Sequence, residues 1–453
     1  MRKVCLCLCA CAAIPVCAAL RTAEIQDRID AAAAAGGGEV SIEAGEYEVG
    51  GLYLKSNVTL HLARGARLIA STNHLDYAGF PKYEHQRAVV SGISVTNAAI
   101  VGEGEIDGRG WATEQKDAAP NRWKDVIFYR AKDVRVEGVT LRNPASWTCY
   151  FKQCDGVTVR KVTIRSLVNH NNDGIDIEAK NVLVEDCDIE AEDDAICFKS
   201  DNPDFVVERC LVRRCRISSN CNFIKFGTSS RGIYRNVTVE DCQVACRSTY
   251  SGLDWRGKVP GVESPVTGIS GIALEVVDGG VMENITVRNI EIGAGVQTPI
   301  FIRQGARRPP WRGRESLLKD ILIENVRMTA PAASRIACSI TGVPGLRPRN
   351  ITIRSCSLVF PGGGTNADVE RRFGEYEKRY PENRMFGKGV ALPAYGFYVR
   401  HADGVRFENV DMTFAGGTEM RPALVKEDST GVETVGCKFK QPTGEYPVVY
   451  DRP

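Results

Sequence analysis

Apolar and polar residues alternate along most of this chain in short β-branched runs, each followed by one further buried position and a second short apolar pair. The unit reads VRVEGVTL from Val134, VTVRKVTI from Val157, VLVEDCDI from Val182, CLVRRCRI from Cys210 and VTVEDCQV from Val237. It recurs as ITVRNIEI from Ile285, ILIENVRM from Ile321, ITIRSCSL from Ile351 and VRFENVDM from Val405. Through the middle of the chain successive units begin 23 to 28 residues apart. Alternation at period two puts one set of side chains on one face of a strand. Repetition at this spacing, with no helical pattern between units, predicts an all-β fold, a right-handed parallel β-helix. Leucine-rich repeats share the spacing but require a fixed Leu pattern, which is missing.

The sixth position of the unit is core, because Cys187, Cys215, Cys242 and Cys356 occupy the place that Val139, Val162, Ile290 and Val326 fill elsewhere. Asn57, Asn236, Asn284 and Asn350 stand at unit starts, where a corner residue tolerant of left-handed geometry is expected. Thr22 to Ala35 predicts a short helix with Ile25 and Ile29 on one face, ended by Gly36, Gly37 and Gly38. It would cap the first coil, whose core and strand edges are otherwise open. Three stretches break the period, Arg247 to Thr267, Arg303 to Ser316 and Pro361 to Pro393, and these predict loops that wall a groove.

The first residues, MRKVCLCLCACAAIPVCAAL, have a basic start, an apolar run and small residues at the end, the layout of a secretory signal. Residues 1–19 are read as that signal, with cleavage near Ala18 or Ala19, and 20–453 as one β-helix domain. The apolar run is shorter than the roughly 20 residues a spanning helix needs, so the protein is expected to be exported, periplasmic or secreted, with no membrane span. Without Arg2 and Lys3 the 58 basic residues become 56, equal to the 56 acidic ones. That balance gives no electrostatic case for nucleic acid. Five of the 17 Cys fall in the signal, and most of the rest follow the repeat, so free buried thiols are expected rather than a disulfide frame or a metal site.

Aligning coils by their apolar residues stacks DGIDIE (Asp173 to Glu178) on DAICFK (Asp194 to Lys199), NFIKFG (Asn222 to Gly227), SGIALE (Ser270 to Glu275) and TPIFIR (Thr298 to Arg303). Three columns result: Asp173, Asp194, Asn222, Ser270, Thr298; then Asp176, Cys197, Lys225, Ala273, Phe301; then Glu178, Lys199, Gly227, Glu275, Arg303. Stacked coils lie about 4.8 Å apart, so Asp173 and Asp194, with Asp193 beside them, form a like-charge cluster. Their repulsion raises at least one pKa, which is how a site keeps one carboxyl protonated while its neighbour stays ionised. Asn171 and Lys225 converge on the same face.

The segment Asn171-Asn172-Asp173-Gly174-Ile175-Asp176, followed by Asp193-Asp194, resembles the Asn-x-Asp and Asp-Asp motifs of glycoside hydrolase family 28, the polygalacturonase family. The likeness takes in TAEIQDRIDAAAAAGGG from Thr22 and GEGEIDGRG from Gly102 to Gly110. It implies hydrolysis of pectin-type acidic polysaccharide with inversion, Asp193 matching the general acid and Asp173 and Asp194 the pair that activates water. Inversion requires acid and base roughly 6.5 to 9.5 Å apart.

Two departures stand out. Cys221-Asn222-Phe223 replaces the family's Gly-His-Gly, and His170 has nothing to place it in that role; Ala273-Leu274-Glu275 replaces Arg-Ile-Lys, the clamp for a substrate carboxylate. Asn171, Asp176, Asn222, Lys225, Glu275 and Arg303 are the substrate-binding candidates. Lys225 and Arg303 would return positive charge, or else the sugar held there carries no carboxylate. Of the aromatics near the loops (Trp147, Tyr150, Trp255, Trp311, Tyr376, Tyr395 and Phe397), Trp255 and Trp311 are the best candidates for sugar stacking. The long loops favour exo over endo action. No cofactor or metal is implied, and the oligomeric state is left open. Two rivals remain: a polysaccharide lyase on the same scaffold, using a basic residue and Ca²⁺, and a non-catalytic glycan-binding β-helix.

Overall fold

A computed structural model describes residues 20–77, 87–113, 122–249 and 251–453. The predicted signal at 1–19 lies outside the described residues. Helix α1 (Thr22–Ala34) buries Ile25 and Ile29 against the first coil. From Gly38 onward the chain winds through short strands that pair in parallel, coil on coil, into three ladders. Parallel crossover connections are right-handed for steric reasons, so the coil is a right-handed parallel β-helix.

One ladder matters most for function. It stacks β1 (Lys124–Tyr129), β2 (Cys149–Arg160), β3 (Ile175–Glu185), β4 (Ile196–Ser200), β5 (Asn222–Ser230), β6 (Gly268–Val276) and β7 (Val296–Gln304). Its inner face carries Ile175, Ile196, Ile224, Ile272 and Ile300 in one row and Ile177, Phe198, Phe226, Leu274 and Ile302 in the next, all in the core. A one-residue slip would turn these rows outward, so burial fixes the register. Cys187, Cys215, Cys242 and Cys356 are buried in the core with Val139, Val162, Ile290 and Val326. The corner asparagines adopt left-handed geometry, with φ of 62° at Asn57, 53° at Asn236, 54° at Asn284 and 53° at Asn350.

The long insertions are packed rather than loose. Phe373, Met385, Phe386 and Leu392 from the last one, with Trp255, Val259 and Val262 from the first, form a second core over the outer face of the ladder at Ala273, Phe301, Tyr398 and Val425. Trp255 is therefore a core residue, sealed by its neighbours and by Arg384 over its ring, and is not available for stacking on a sugar. Tyr395 and Phe397 are likewise core. Buried arginines tie the last insertion down. Arg303 donates to the carbonyls of Gly342 (2.7 Å) and Glu375 (2.9 Å), Arg400 to those of Phe373 and Gly374 (3.1 Å each), and Arg421 to those of Arg335, Leu392 and Ala394.

All twelve described cysteines are free. Thiol titration of a chain spanning residues 20–453, in denaturant without reductant, should therefore count twelve, whereas under native conditions the buried ones should react slowly. A lower count in denaturant would mean that coils are cross-linked.

Candidate active site

The acidic residues sit where strands end, not within them. Residues 192–195 form the bend between strand Asp188–Ala191 and β4, and 167–174 the bend before β3. At a bend consecutive side chains no longer point to opposite faces, so Asp193 and Asp194 can serve one site. The ladder register carries Asp173 onto Asp194 and Asp194 onto Asn222: Gly174 N donates to Asp194 O (2.9 Å) and Ala195 N to Asn222 O (2.9 Å). Asn222 then pairs with Ser270, and Ser270 with Thr298. The second column also forms, Asp176 on Cys197 on Lys225 on Ala273 on Phe301.

The third column does not hold. The register slips after Phe198, so that Ser200 pairs with Ser230, and Gly227 in between takes a φ of 111° open to glycine. Lys199 turns away from Glu178 and bridges Asp173 (3.0 Å) and Asp176 (3.1 Å). Arg303 is paired in register with Glu275 but donates to backbone carbonyls, so no alternating charge ladder forms there.

Carboxylates of Asp173 and Asp194 approach within 4.8 Å, as do those of Asp193 and Asp194. Two ammonium groups keep this crowd stable. Lys199 holds Asp173 and Asp176, and Lys225 holds Asp194 (3.2 Å) and reaches Glu275 at 3.9 Å. Asn222 adds hydrogen bonds to Asp194 Oδ1 from Nδ2 (2.8 Å) and from its backbone N (3.2 Å).

The protons are shared unequally. Burial, then the neighbouring Asp173 and Asp194, push Asp193 up to about 8. Burial alone would lift Asp194 too, but Lys225, Lys199 and hydrogen bonds from Asn222 and Cys221 hold it below the usual carboxylate range. Burial raises Asp173 and, further, Asp176, in both cases against the pull of Lys199. Glu275 rises to about 8, through burial that Lys225 only partly offsets. Each lysine gains more from its carboxylates than it loses by burial, so both stay charged. Lys199 Nζ also lies 3.4 Å from Cys197 Sγ.

A cleft of about 440 Å³ opens beside Asp193, walled by Trp111, Val168, His170, Asn171 and Leu253. Of the substrate-binding candidates, Asn171 lines it, with Oδ1 accepting from Arg122 (2.8 Å). Asp176, Asn222, Lys225, Glu275 and Arg303 are buried beneath or beyond it. Trp311 lies on the loop after β7, donating Nε1–H to Asp204 (3.0 Å). Trp111, at the cleft wall and 62 % exposed, is absent from the sequence-derived candidates. Its only sequence signal is its place directly after the Gly108-Arg109-Gly110 turn.

The model of glycosyl hydrolases family 28 matches residues 39–255, which contain the whole acidic cluster. Residues 39–255 are thus a family 28 domain. An endo-polygalacturonase of Pectobacterium parmentieri is 25 % identical over 354 residues, 71 % of this chain and 80 % of that protein. An exo-poly-alpha-D-galacturonosidase of Dickeya chrysanthemi is 26 % identical over 237 residues, 40 % of this chain and 39 % of that protein. The family 28 exopolygalacturonase of Yersinia enterocolitica shares the fold, with a TM-score of 0.69 at 17 % identity, covering 93 % of this chain and 77 % of that one.

Where the family 28 motif leads one to expect histidine, this glycoside hydrolase has Asn222, and the amide of that residue is spent on Asp194. The family's cationic clamp is replaced by a buried Glu275 facing Lys225. Removing the ammonium from this network should be costly. Lys225→Met strands Asp194 without its cation and should lower unfolding stability by about 3–5 kcal/mol. The double variant Lys225→Met/Asp194→Asn should recover much of that loss. Equal destabilisation of single and double variants in denaturant unfolding would show that packing, not the ion pair, is at stake.

Proposed function

We propose that this chain hydrolyses glycosidic bonds of pectin-type acidic polysaccharide or its oligosaccharides, at a galacturonide or rhamnogalacturonan linkage, with inversion of the anomeric centre. Asp193 is the general acid, protonating the leaving oxygen. Asp194 and Asp173 hold and activate the attacking water from the other side of the sugar. The observation that carries this reading is the split within one acidic cluster: Asp193 pushed up to about 8 beside Asp194 held low. A carboxyl that keeps its proton at neutral pH next to one that has lost it is an acid and base pairing. The two carboxyls, within 4.8 Å, are closer than the roughly 6.5 to 9.5 Å expected of an inverting pair, so inversion rests on the resemblance to family 28 and not on this separation. The polygalacturonases among its relatives supply the substrate class.

Exo action is the second part of the proposal. The outer face of the ladder is sealed from Ala273 onward by the second core, and buried arginines fix the sealing segment, so a glycan cannot continue along the sheet past Lys225. A groove stopped at one side favours trimming from a chain end. Action on an external polysaccharide also fits the exported location, and N-terminal sequencing of the exported protein should begin near Ala19 or Leu20.

Replacing the Asp193 carboxyl by an amide removes the acid while keeping its shape. Asp193→Asn should lower kcat on pectic oligosaccharides by about 10²–10⁴-fold. Activity comparable to the parent would fit a glycan-binding protein or another acid instead. The acid form is present below its pKa, so kcat/KM should fall as pH rises through about 8, and that alkaline limb should be missing from the residual activity of the variant. Product analysis by NMR on a defined oligosaccharide gives the remaining checks: an inverted anomer released from one end is expected, whereas random early internal cuts, a retained anomer or an unsaturated uronide would each contradict a part of the proposal.

A further inference from the structure

The cleft beside Asp193 has an apolar wall where the sheet next to it is charged. Trp111, Leu167, Val168 and Leu253 contribute apolar surface, and the volume of about 440 Å³ falls in the size range of small-ligand sites. Among the described residues that line it there is no Lys or Arg. The acidic residues are Asp193 and Glu192, and Glu192 is committed to the wall itself, accepting from Gly252 N (2.6 Å) and from Asn220 Nδ2. Arg122 donates to Asn171 Oδ1 (2.8 Å) and to the carbonyl of His170, so its charge is used in holding the loop.

We infer that this cavity is a subsite for a neutral sugar ring with an apolar face, a hexose or 6-deoxyhexose, and that it rejects a uronate. Its place next to the cleaved bond rests on the hydrolase reading above; its ligand class rests on shape and charge. A uronate carboxylate in this space would face Glu192 and Asp193 with no Lys or Arg among the described lining residues to pair with, and an unpaired charge taken out of water is strongly disfavoured. A neutral ring avoids that cost. The exposed indole of Trp111 offers a flat apolar surface for the C–H face of a pyranose, with the Asn171 amide and His170 ring available to hydroxyls. The chain's loss of the Arg-Ile-Lys clamp at Ala273-Leu274-Glu275 agrees with a site that does not select a carboxylate. The preferred substrate is then a heteropolymer with a neutral sugar on one side of the cut, and pure homogalacturonan is a poor one.

Ligand-observed NMR titration of the mature protein with L-rhamnose, D-galactose and D-galacturonate reads the preference directly. At least one neutral sugar should bind about tenfold or more tightly than galacturonate, and Trp111→Ala should weaken that binding by about tenfold. Leu253→Lys, which adds a cation to the wall, should narrow or reverse the preference. Galacturonate bound as tightly as the neutral sugars, binding indifferent to Trp111, or no saturable binding of either neutral sugar at tens of millimolar would each overturn the inference. These readouts do not depend on bond cleavage. A protein that binds neutral sugar at Trp111 but cuts no pectic glycan would sink the hydrolase reading and leave the subsite standing; efficient cleavage of homogalacturonan by Trp111→Ala would do the opposite.

Discussion

Lys199 and Lys225 are the groups on which the site depends. Each sits fully charged on the outer face of one β-ladder, between carboxylates brought to it by neighbouring coils. Without them the face would bury Asp173, Asp176, Asp194 and Glu275 with only one another for company, and like charges at these separations cannot all ionise. With them the cluster is stable but uneven. Lys225 is aimed at Asp194, Lys199 at Asp173 and Asp176, and Asp193 has neither as a direct partner. Of the neighbouring Asp193 and Asp194, the one left without an ammonium is the one that keeps its proton.

The coil geometry supplies this asymmetry cheaply. The rows of isoleucine and phenylalanine inside the ladder hold the register, and the register sets which side chains meet outside. Stacked Phe198 and Phe226, with ring centroids 4.4 Å apart, are the inner counterpart of the outer pairing of Cys197 with Lys225. A core change that shifted the register would scramble the acidic cluster without touching an acidic residue. The arginine-tied insertion plays a different part. It closes the outer face one coil beyond the lysines, converting an open sheet into a site with an end.

The parts of this arrangement that run along the coil axis were legible in the amino-acid order. The columns Asp173–Asp194–Asn222 and Asp176–Cys197–Lys225 follow from the spacing of apolar residues, because equivalent positions in register must stack. What runs across the coils was not legible. Lysine side chains are long enough to leave their own column, so Lys199 reaches Asp173 and Asp176 instead of Glu178. The slip after Phe198 depends on a local departure at Gly227 that no periodicity announces. Arg303 was expected to face substrate, but the insertion's carbonyls, whose position depends on packing some seventy residues further along, claim it. Trp255 and Trp111 trade places for the same reason: loops decide exposure, and loop packing is a tertiary outcome. Asn169 donating to Gly110 O (2.8 Å) is the contact that brings Trp111 to the cleft, and nothing local in either segment reveals it.

The most direct test is a carbon-13 titration of the aspartate carboxyl carbons in the purified protein, with Asp173, Asp193 and Asp194 assigned through their Asn variants. The account predicts that Asp194 titrates below the ordinary carboxylate range and Asp193 with a midpoint near 8. Midpoints for both in the ordinary range, or the high one belonging to Asp194, would contradict it.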